Sequence, residues 1–203
     1  MKTLRILIPV LEDPDNPYRC RLKMFLELLD ELNRQILEGG YEKRVKVISN
    51  IDNGTMSIGA KRNQLVKAAK LDGADYIAFK DDDDWPGLTY IKSLMIGIDL
   101  GVDVVGLRGV MTTNGGNPEI FEHSLSYKAY KTNEGVEYPG VKYERYPNHL
   151  NCMRLDIAEQ FPFPEIDHGE DTAFATAVFK SGLLLTEFMV TDIIYHYRYK
   201  SNK

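Results

Sequence analysis

Cysteine is nearly missing from this sequence: among 203 residues there are only Cys20 and Cys152. They form no Cys-x-x-Cys pair, so the chain has neither a disulfide framework nor an all-cysteine zinc site, and at most one bridge is open to it. Long apolar runs are missing too. No stretch approaches the roughly 20 residues that a membrane-spanning helix needs. The opening MKTLRILIPV has no small-residue cleavage site behind its short apolar run, so it reads as a first buried strand, and a cytoplasmic location is expected. Positive charge is in deficit. Against 30 Asp and Glu stand 25 Lys and Arg, a net charge of −5, which argues against a generally basic nucleic-acid binder but allows a local basic patch. The GxxxxGK[ST] phosphate loop, the GxSxG elbow, HExxH and a GxGxxG after the first strand are all absent. Neither a glycine cradle for phosphates nor serine hydrolase chemistry is supported.

What is present suits one globular domain with a real core: 43% hydrophobic and 27% charged residues is an ordinary balance. Leu4 to Val10 is a continuous apolar run, as expected of a central parallel strand covered on both faces. After the polar turn EDPDNP, Leu22, Phe25, Leu26, Leu29, Leu32 and Ile36 recur at helical spacing from Arg21 to Glu38, and Gly39-Gly40 ends that helix. Val45 to Ile48 is a second short strand. Ser57 is placed to cap a helix running to Leu71, with Ile58, Leu65, Ala68 and Ala69 inward. Tyr76 to Phe79 is a third strand, Thr89 to Leu100 a helix, and Val102 to Leu107 a strand. This alternation predicts an α/β fold with a mostly parallel central sheet flanked by helices. Residues 112–148, rich in Gly, Asn, Pro and Tyr, predict loops and short strands. Helical patterns return at Arg154 to Gln160 and Glu170 to Ser181, and DIIYHYRY predicts a last strand.

Four aspartates, Asp81 to Asp84, directly follow the third strand and precede Trp85-Pro86. In open α/β sheets ligands bind at the carboxyl ends of strands. If the chain stays extended there, Asp81 and Asp83 point one way and Asp82 and Asp84 the other. Two carboxylates on one side suit a hard divalent cation, Mg²⁺ or Mn²⁺, whose charge would relieve their mutual repulsion. The plain alternative is a solvated acidic turn. An EF-hand is excluded, since Trp85 and Pro86 stand where a ligand and a glycine are required.

Three motifs in order carry a resemblance. Ser57-Ile58-Gly59-Ala60-Lys61-Arg62-Asn63, then Gly73 to Phe79 with the acidic run, then His168-Gly169-Glu170-Asp171-Thr172, together with Ile194-Tyr195-His196-Tyr197, resemble GT-A glycosyltransferases, most closely family 2 and its small phage and virus members. The resemblance implies a single GT-A domain over residues 1–203, with a nucleotide-sugar half (1–110) and an acceptor half (111–203). It implies that Asp81 contacts the nucleoside and Asp83 binds the metal, with the register Asp82 and Asp84 left open. Asp82, Pro9, Arg62 and Asn63 would lie near the nucleotide, with a solvated helix face as the plain alternative for Arg62 and Asn63. Pro9 and the Glu12-Asp13 turn fall where the family holds the base and ribose. His196 would be a further metal ligand, or else a packed histidine among tyrosines. Asp171 would be the general base, with Glu170 beside it orienting groups or binding acceptor; a charged helix start is their plain alternative. Asp84, Trp85, His149 and Asn151 are acceptor-side candidates.

The implied activity is metal-dependent transfer of a sugar from a nucleoside-diphosphate sugar, with UDP favoured by family habit, to an acceptor hydroxyl with inversion. The acceptor is open. Aromatic residues interleave with basic ones in SYKAYK (126–131), VKYERYP (141–147) and YHYRYK (195–200), which suits unpaired bases, sugar rings or plain packing. Hydroxymethylated bases in DNA, and hence DNA modification, are therefore a candidate acceptor. A reading of another class is a non-catalytic protein that binds metal or nucleotide sugar.

Overall fold

The apolar run at the N-terminus becomes β1 (Leu4–Leu11), buried from Leu4 to Val10. The computed structural model describes residues 1–12 and 21–200. β1 pairs in parallel with β2 (Val45–Asp52) and with β3 (Tyr76–Phe79). Between them run helix α1 (Leu22–Glu38) and helix α2 (Ile58–Leu71). Alternation along β1 explains the layering. Leu4, Ile6, Ile8 and Val10 pack in one core with Phe25, Leu28, Leu32 and Ile36 of α1, while Leu7 packs in another with Leu65 and Ala69 of α2. A strand covered on both faces needs apolar residues of both parities, hence the unbroken run.

The inner stripe of α1 differs from the expectation at one point. Leu28 is fully buried and Leu26 is half exposed, because positions 25, 28, 32 and 36 share a face at 100° per residue and Leu26 lies off it. That face also carries Gln35. Its amide donates to the Gly87 carbonyl and accepts from the Ile91 amide, joining α1 to helix α3. A two-residue strand, β4 (Trp85–Pro86), precedes α3 (Tyr90–Leu100).

The sheet continues into the second half of the chain. β5 (Val104–Thr113) runs on past the expected Leu107 and turns into β6 (Gly116–His123). The turn residues Asn114 and Gly115 both have positive φ, 51° and 79°, as a tight two-residue hairpin requires. The edge strand β7 (Lys131–Thr132) pairs with β8 (Val141–Arg145), and β8 pairs with β6. β9 (Cys152–Arg154) lies antiparallel between β3 and β5 and so joins the two halves into one sheet. Cys152 is a free, buried thiol; Cys20, like the EDPDNP turn beyond Glu12, lies outside the described residues. The helical pattern at 154–160 reduces to one turn, α4 (Leu155–Ala158), since Pro162 follows closely. Helix α5 (Glu170–Ser181) and strand β10 (Glu187–Tyr199) complete the chain. β10 runs parallel to β5 and, around Tyr195 and His196, antiparallel to β4. No helix among the described residues is long and apolar enough to cross a membrane.

Candidate active site

The four aspartates do not continue β3 as an extended strand. The Asp84 amide donates to the Asp81 carbonyl at 3.2 Å, so the run makes a tight turn. The side chains still divide by parity. Those of Asp81 and Asp83 are 26% and 20% exposed, whereas Asp82 and Asp84 are enclosed.

The enclosed pair holds the turn in place. Asp82 accepts from the Leu11 amide at 2.9 Å and from Arg21 Nη1 at 3.0 Å, tying the end of β1 and the start of α1 to the run. Asp84 accepts from the Tyr195 hydroxyl at 2.8 Å and the Arg198 amide at 2.9 Å, tying in β10. Burial pushes the Asp84 carboxyl up to about 7, and burial pulls the fully enclosed Lys80 ammonium down to about 7 while Asp84 works the other way. Lys80 donates to the Trp85 carbonyl at 3.0 Å and lies against the Tyr195 ring, a cation–π contact. Trp85 in turn lies under the Arg198 guanidinium, 5.2 Å from its ring centre.

Asp81 faces helix α2. Arg62 Nη2 donates to Asp81 Oδ1 at 3.1 Å, and His149 Nε2 stands 4.0 Å from Oδ2. Burial would raise this carboxyl, but His149 and Arg62 together hold it well below the usual range. Asp83 is set otherwise. Burial raises it to about 6, with Asp81 and Asp82 adding repulsion, although Arg21 Nη1 stands 3.1 Å from Oδ2.

Arg62 is the hub of the site. It is 4% exposed, so the solvated helix face is not its setting. Besides Asp81 it pairs with Glu170 and approaches His149 Nε2 at 3.1 Å. Its guanidinium lies against the rings of Phe79 and Phe163, which touch edge to face, 5.8 and 5.6 Å from their centres. Helix α2 is aimed by its start. Ser57 Oγ accepts from the Ala60 amide at 3.3 Å, the N-cap bond that Ser supplies. The Ile58 amide donates to Asp167 and the Gly59 amide to the Ile166 carbonyl. A Cβ on Gly59 would stand 1.8 Å from the Pro164 carbonyl oxygen, so only glycine lets the 164–167 loop close on α2.

That loop delivers the acidic start of α5, where Gly169 takes the left-handed conformation at φ 86°. The two acids separate by role. Glu170 is 5% exposed and held by Arg62. Asp171 is partly exposed, and its charge acts on both His149 and Tyr130. His149 is enclosed; burial and Arg62 lower its pKa, while Asp81 and Asp171 work the other way. Among the described residues its Nδ1 finds no hydrogen-bond partner.

The other expected site residues have these settings. The Asn63 amide is spent on the Phe163 backbone, donating to its carbonyl and accepting from its amide, both at 2.9 Å. Asn151 is 1% exposed, donates to the Val105 carbonyl and accepts from the Asn148 amide. Both amides therefore position backbone. Pro9 is buried in β1 beside Asn50, and Asp13 lies outside the described residues. His196 sits on β10 across from Trp85, with its pKa lowered by burial and by Lys80. Among the described residues no three His, Cys, Asp or Glu side chains converge as a metal site. A cation at this turn would be held by Asp83 with Asp81 beside it. One or two carboxylates are what Mg²⁺ takes when phosphate and water complete its shell, so this set fits.

Lys61 and Arg21 belong to the site and were not singled out from the sequence. Lys61 is 4% exposed, pairs with Asp52 at the end of β2 and donates to the Val10 carbonyl at 3.0 Å. Adjacent basic residues on a helix start carry no sequence signal for burial. The aromatic-basic stretches are largely engaged within the protein. Tyr146 stacks on Phe179 and meets Tyr130, Arg145 covers Tyr130, and the Tyr127 and Tyr143 hydroxyls donate to Glu122 and Glu119.

No protein-family model matches the chain, and no curated protein matches it in sequence. Solved structures do. TarS 1-349 of S. aureus in complex with UDP-GlcNAc superposes over 100% of this chain with a TM-score of 0.62 at 17% identity. The fold is GT-A. The catalytic domain of Drosophila β1,4-galactosyltransferase 7, in complex with xylobiose, covers 96% of the chain with a TM-score of 0.56 at 14% identity. The chain spans 60% of the TarS structure and 70% of the galactosyltransferase domain.

Proposed function

We propose that the protein is a metal-dependent glycosyltransferase that moves a sugar, with inversion, from a UDP-sugar to an acceptor hydroxyl. The observation that carries this reading is the meeting of Asp81, at the end of β3, with the start of α5 on one buried guanidinium, that of Arg62. A carboxylate turn at a strand end and an acidic helix start thereby meet on one side chain, in a fold that TarS shows in complex with UDP-GlcNAc.

Each residue has a task in this reading. Asp81, kept ionised by Arg62 and His149, accepts hydrogen bonds from the nucleoside. Asp83, with Asp81 beside it, would hold Mg²⁺ or Mn²⁺. The cation supplies positive charge for the departing diphosphate. Asp171, partly open to solvent, takes the proton of the acceptor hydroxyl. Glu170 is already committed to Arg62, which leaves Asp171 as the base. The aromatic wall of Tyr130 and Tyr146 adjoins Asp171 on the acceptor side. Because these rings pack on one another, a carbohydrate or small-molecule hydroxyl suits the wall better than a row of splayed DNA bases.

The test is calorimetric titration of UDP and UDP-sugars in the presence of Mn²⁺, followed by donor turnover. We expect binding, and we expect Asp171→Asn to retain it while losing turnover by about 10²–10⁴-fold, the usual contribution of a general base. Failure to bind UDP, UDP-GlcNAc or UDP-galactose would refute the reading. Duplex DNA with hydroxymethylated cytosine serves as a competing acceptor, and glucose transfer to it would reassign the acceptor.

A further inference from the structure

We infer that Glu170 is a positioning residue that governs donor binding through Arg62, and that it does not take the acceptor's proton. This rests on the donor-site reading of Asp81. Three observations carry it. Glu170 is 5% exposed and its Oε1 is held by Arg62 Nη1, which places it poorly to meet an incoming hydroxyl. Arg62 is buried against the rings of Phe79 and Phe163, its guanidinium 5.8 and 5.6 Å from their centres. The opposite nitrogen of the same guanidinium contacts Asp81 Oδ1 at 3.1 Å and His149 Nε2 at 3.1 Å.

The fork therefore divides one positive charge between two carboxylates on different elements. Removing the Glu170 charge commits the whole guanidinium to Asp81. That carboxylate then accepts less strongly from a nucleoside hydroxyl, because its lone pairs are held more tightly by Arg62. Removing Arg62 cuts the link, and the charge on Glu170 can no longer reach Asp81. Lysine, a point charge without a fork, cannot serve both partners.

A double-mutant cycle read by UDP calorimetry tests this. We expect Glu170→Gln to weaken UDP binding about tenfold, the scale of one charge-assisted hydrogen bond. In the Arg62→Met background the same change should leave UDP affinity as it is in Arg62→Met alone. Arg62→Lys repeats the cycle should Arg62→Met fail to fold. A merely structural Glu170 would lower the thermal unfolding temperature in both backgrounds and leave UDP affinity alone. That outcome, or an equal loss of affinity in both backgrounds, overturns the inference while the donor reading stands. Absence of UDP binding by the unaltered protein overturns the donor reading and this inference with it.

Discussion

Tyr195 donates its hydroxyl to Asp84 at 2.8 Å, and both side chains are sealed from solvent. One of the four aspartates is thereby a tie between the end of β3 and the last strand. Asp84→Ala leaves the Tyr195 hydroxyl and the Arg198 amide without their acceptor and Lys80 without its nearest negative charge. Each buried polar group so stranded costs about 1–3 kcal/mol. Urea unfolding should show that loss, with Tyr195→Phe milder at about 1 kcal/mol. An Asp84→Ala protein with unchanged stability and no Mn²⁺ binding would instead make Asp84 a metal ligand.

Asp83, like Asp81, is partly open to solvent, and Mn²⁺-dependent affinity for UDP should rest on it. Asp83→Ala is expected to abolish the difference between titrations of UDP with Mn²⁺ and with EDTA. Asp82→Ala should keep that difference and instead loosen the Leu11 amide and Arg21, seen as lower thermal stability. The reverse pattern would shift the working register to Asp82 and Asp84.

Arg21 lies against both Asp82 and Asp83. It thus stands as a counter-charge that an incoming cation must offset. Arg21→Gln should tighten Mn²⁺ binding in the absence of nucleotide severalfold, in keeping with about 1 kcal/mol for a half-exposed pair. Electron paramagnetic resonance of free Mn²⁺ measures this directly, and unchanged or weaker binding would show that Arg21 does not compete.

Asp103 anchors the start of β10. It accepts from the Leu185 and Thr186 amides, from the Thr186 hydroxyl and from Arg154. Burial opposes ionisation, but these bonds win and hold the carboxyl below its ordinary value. A depressed folded pKa means that the native state binds fewer protons than the unfolded chain, so the stabilisation is present above the ordinary carboxylate value near 4. It is lost as pH falls from there through the folded value. Asp103→Asn should flatten that part of the stability–pH curve, and an unchanged acid limb would show that other carboxylates dominate it.

Much of this was legible in the sequence, for identifiable reasons. β3 and α5 span the apolar run Tyr76–Phe79 and the helical pattern Glu170–Ser181 that the sequence shows. The unbroken run of β1 announced a strand covered on both faces. The hairpin at Asn114-Gly115 carries the Asn-Gly pair that such a turn demands, although the surrounding Gly- and Asn-rich region masks that signal. Burial of Lys61 and Arg62 was not readable. Their solvation is traded for Asp52, Asp81 and Glu170, partners that only the tertiary fold brings near. The separate tasks of Glu170 and Asp171 were hidden for the same reason, because adjacent positions at a helix start differ in direction and not in chemistry.

Gly59 sets this molecule against itself. In the first turn of α2, alanine would be the better helix former by up to about 1 kcal/mol. Yet its single methyl would be driven into the Pro164 carbonyl oxygen, and the 164–167 loop would have to withdraw, carrying Glu170 away from Arg62. Gly59→Ala should therefore improve the helix locally while weakening a nucleotide it does not touch. The chain forgoes intrinsic helicity to keep two distant segments in gear, and a sequence optimised only for stability would lose that coupling first at a position with no side chain.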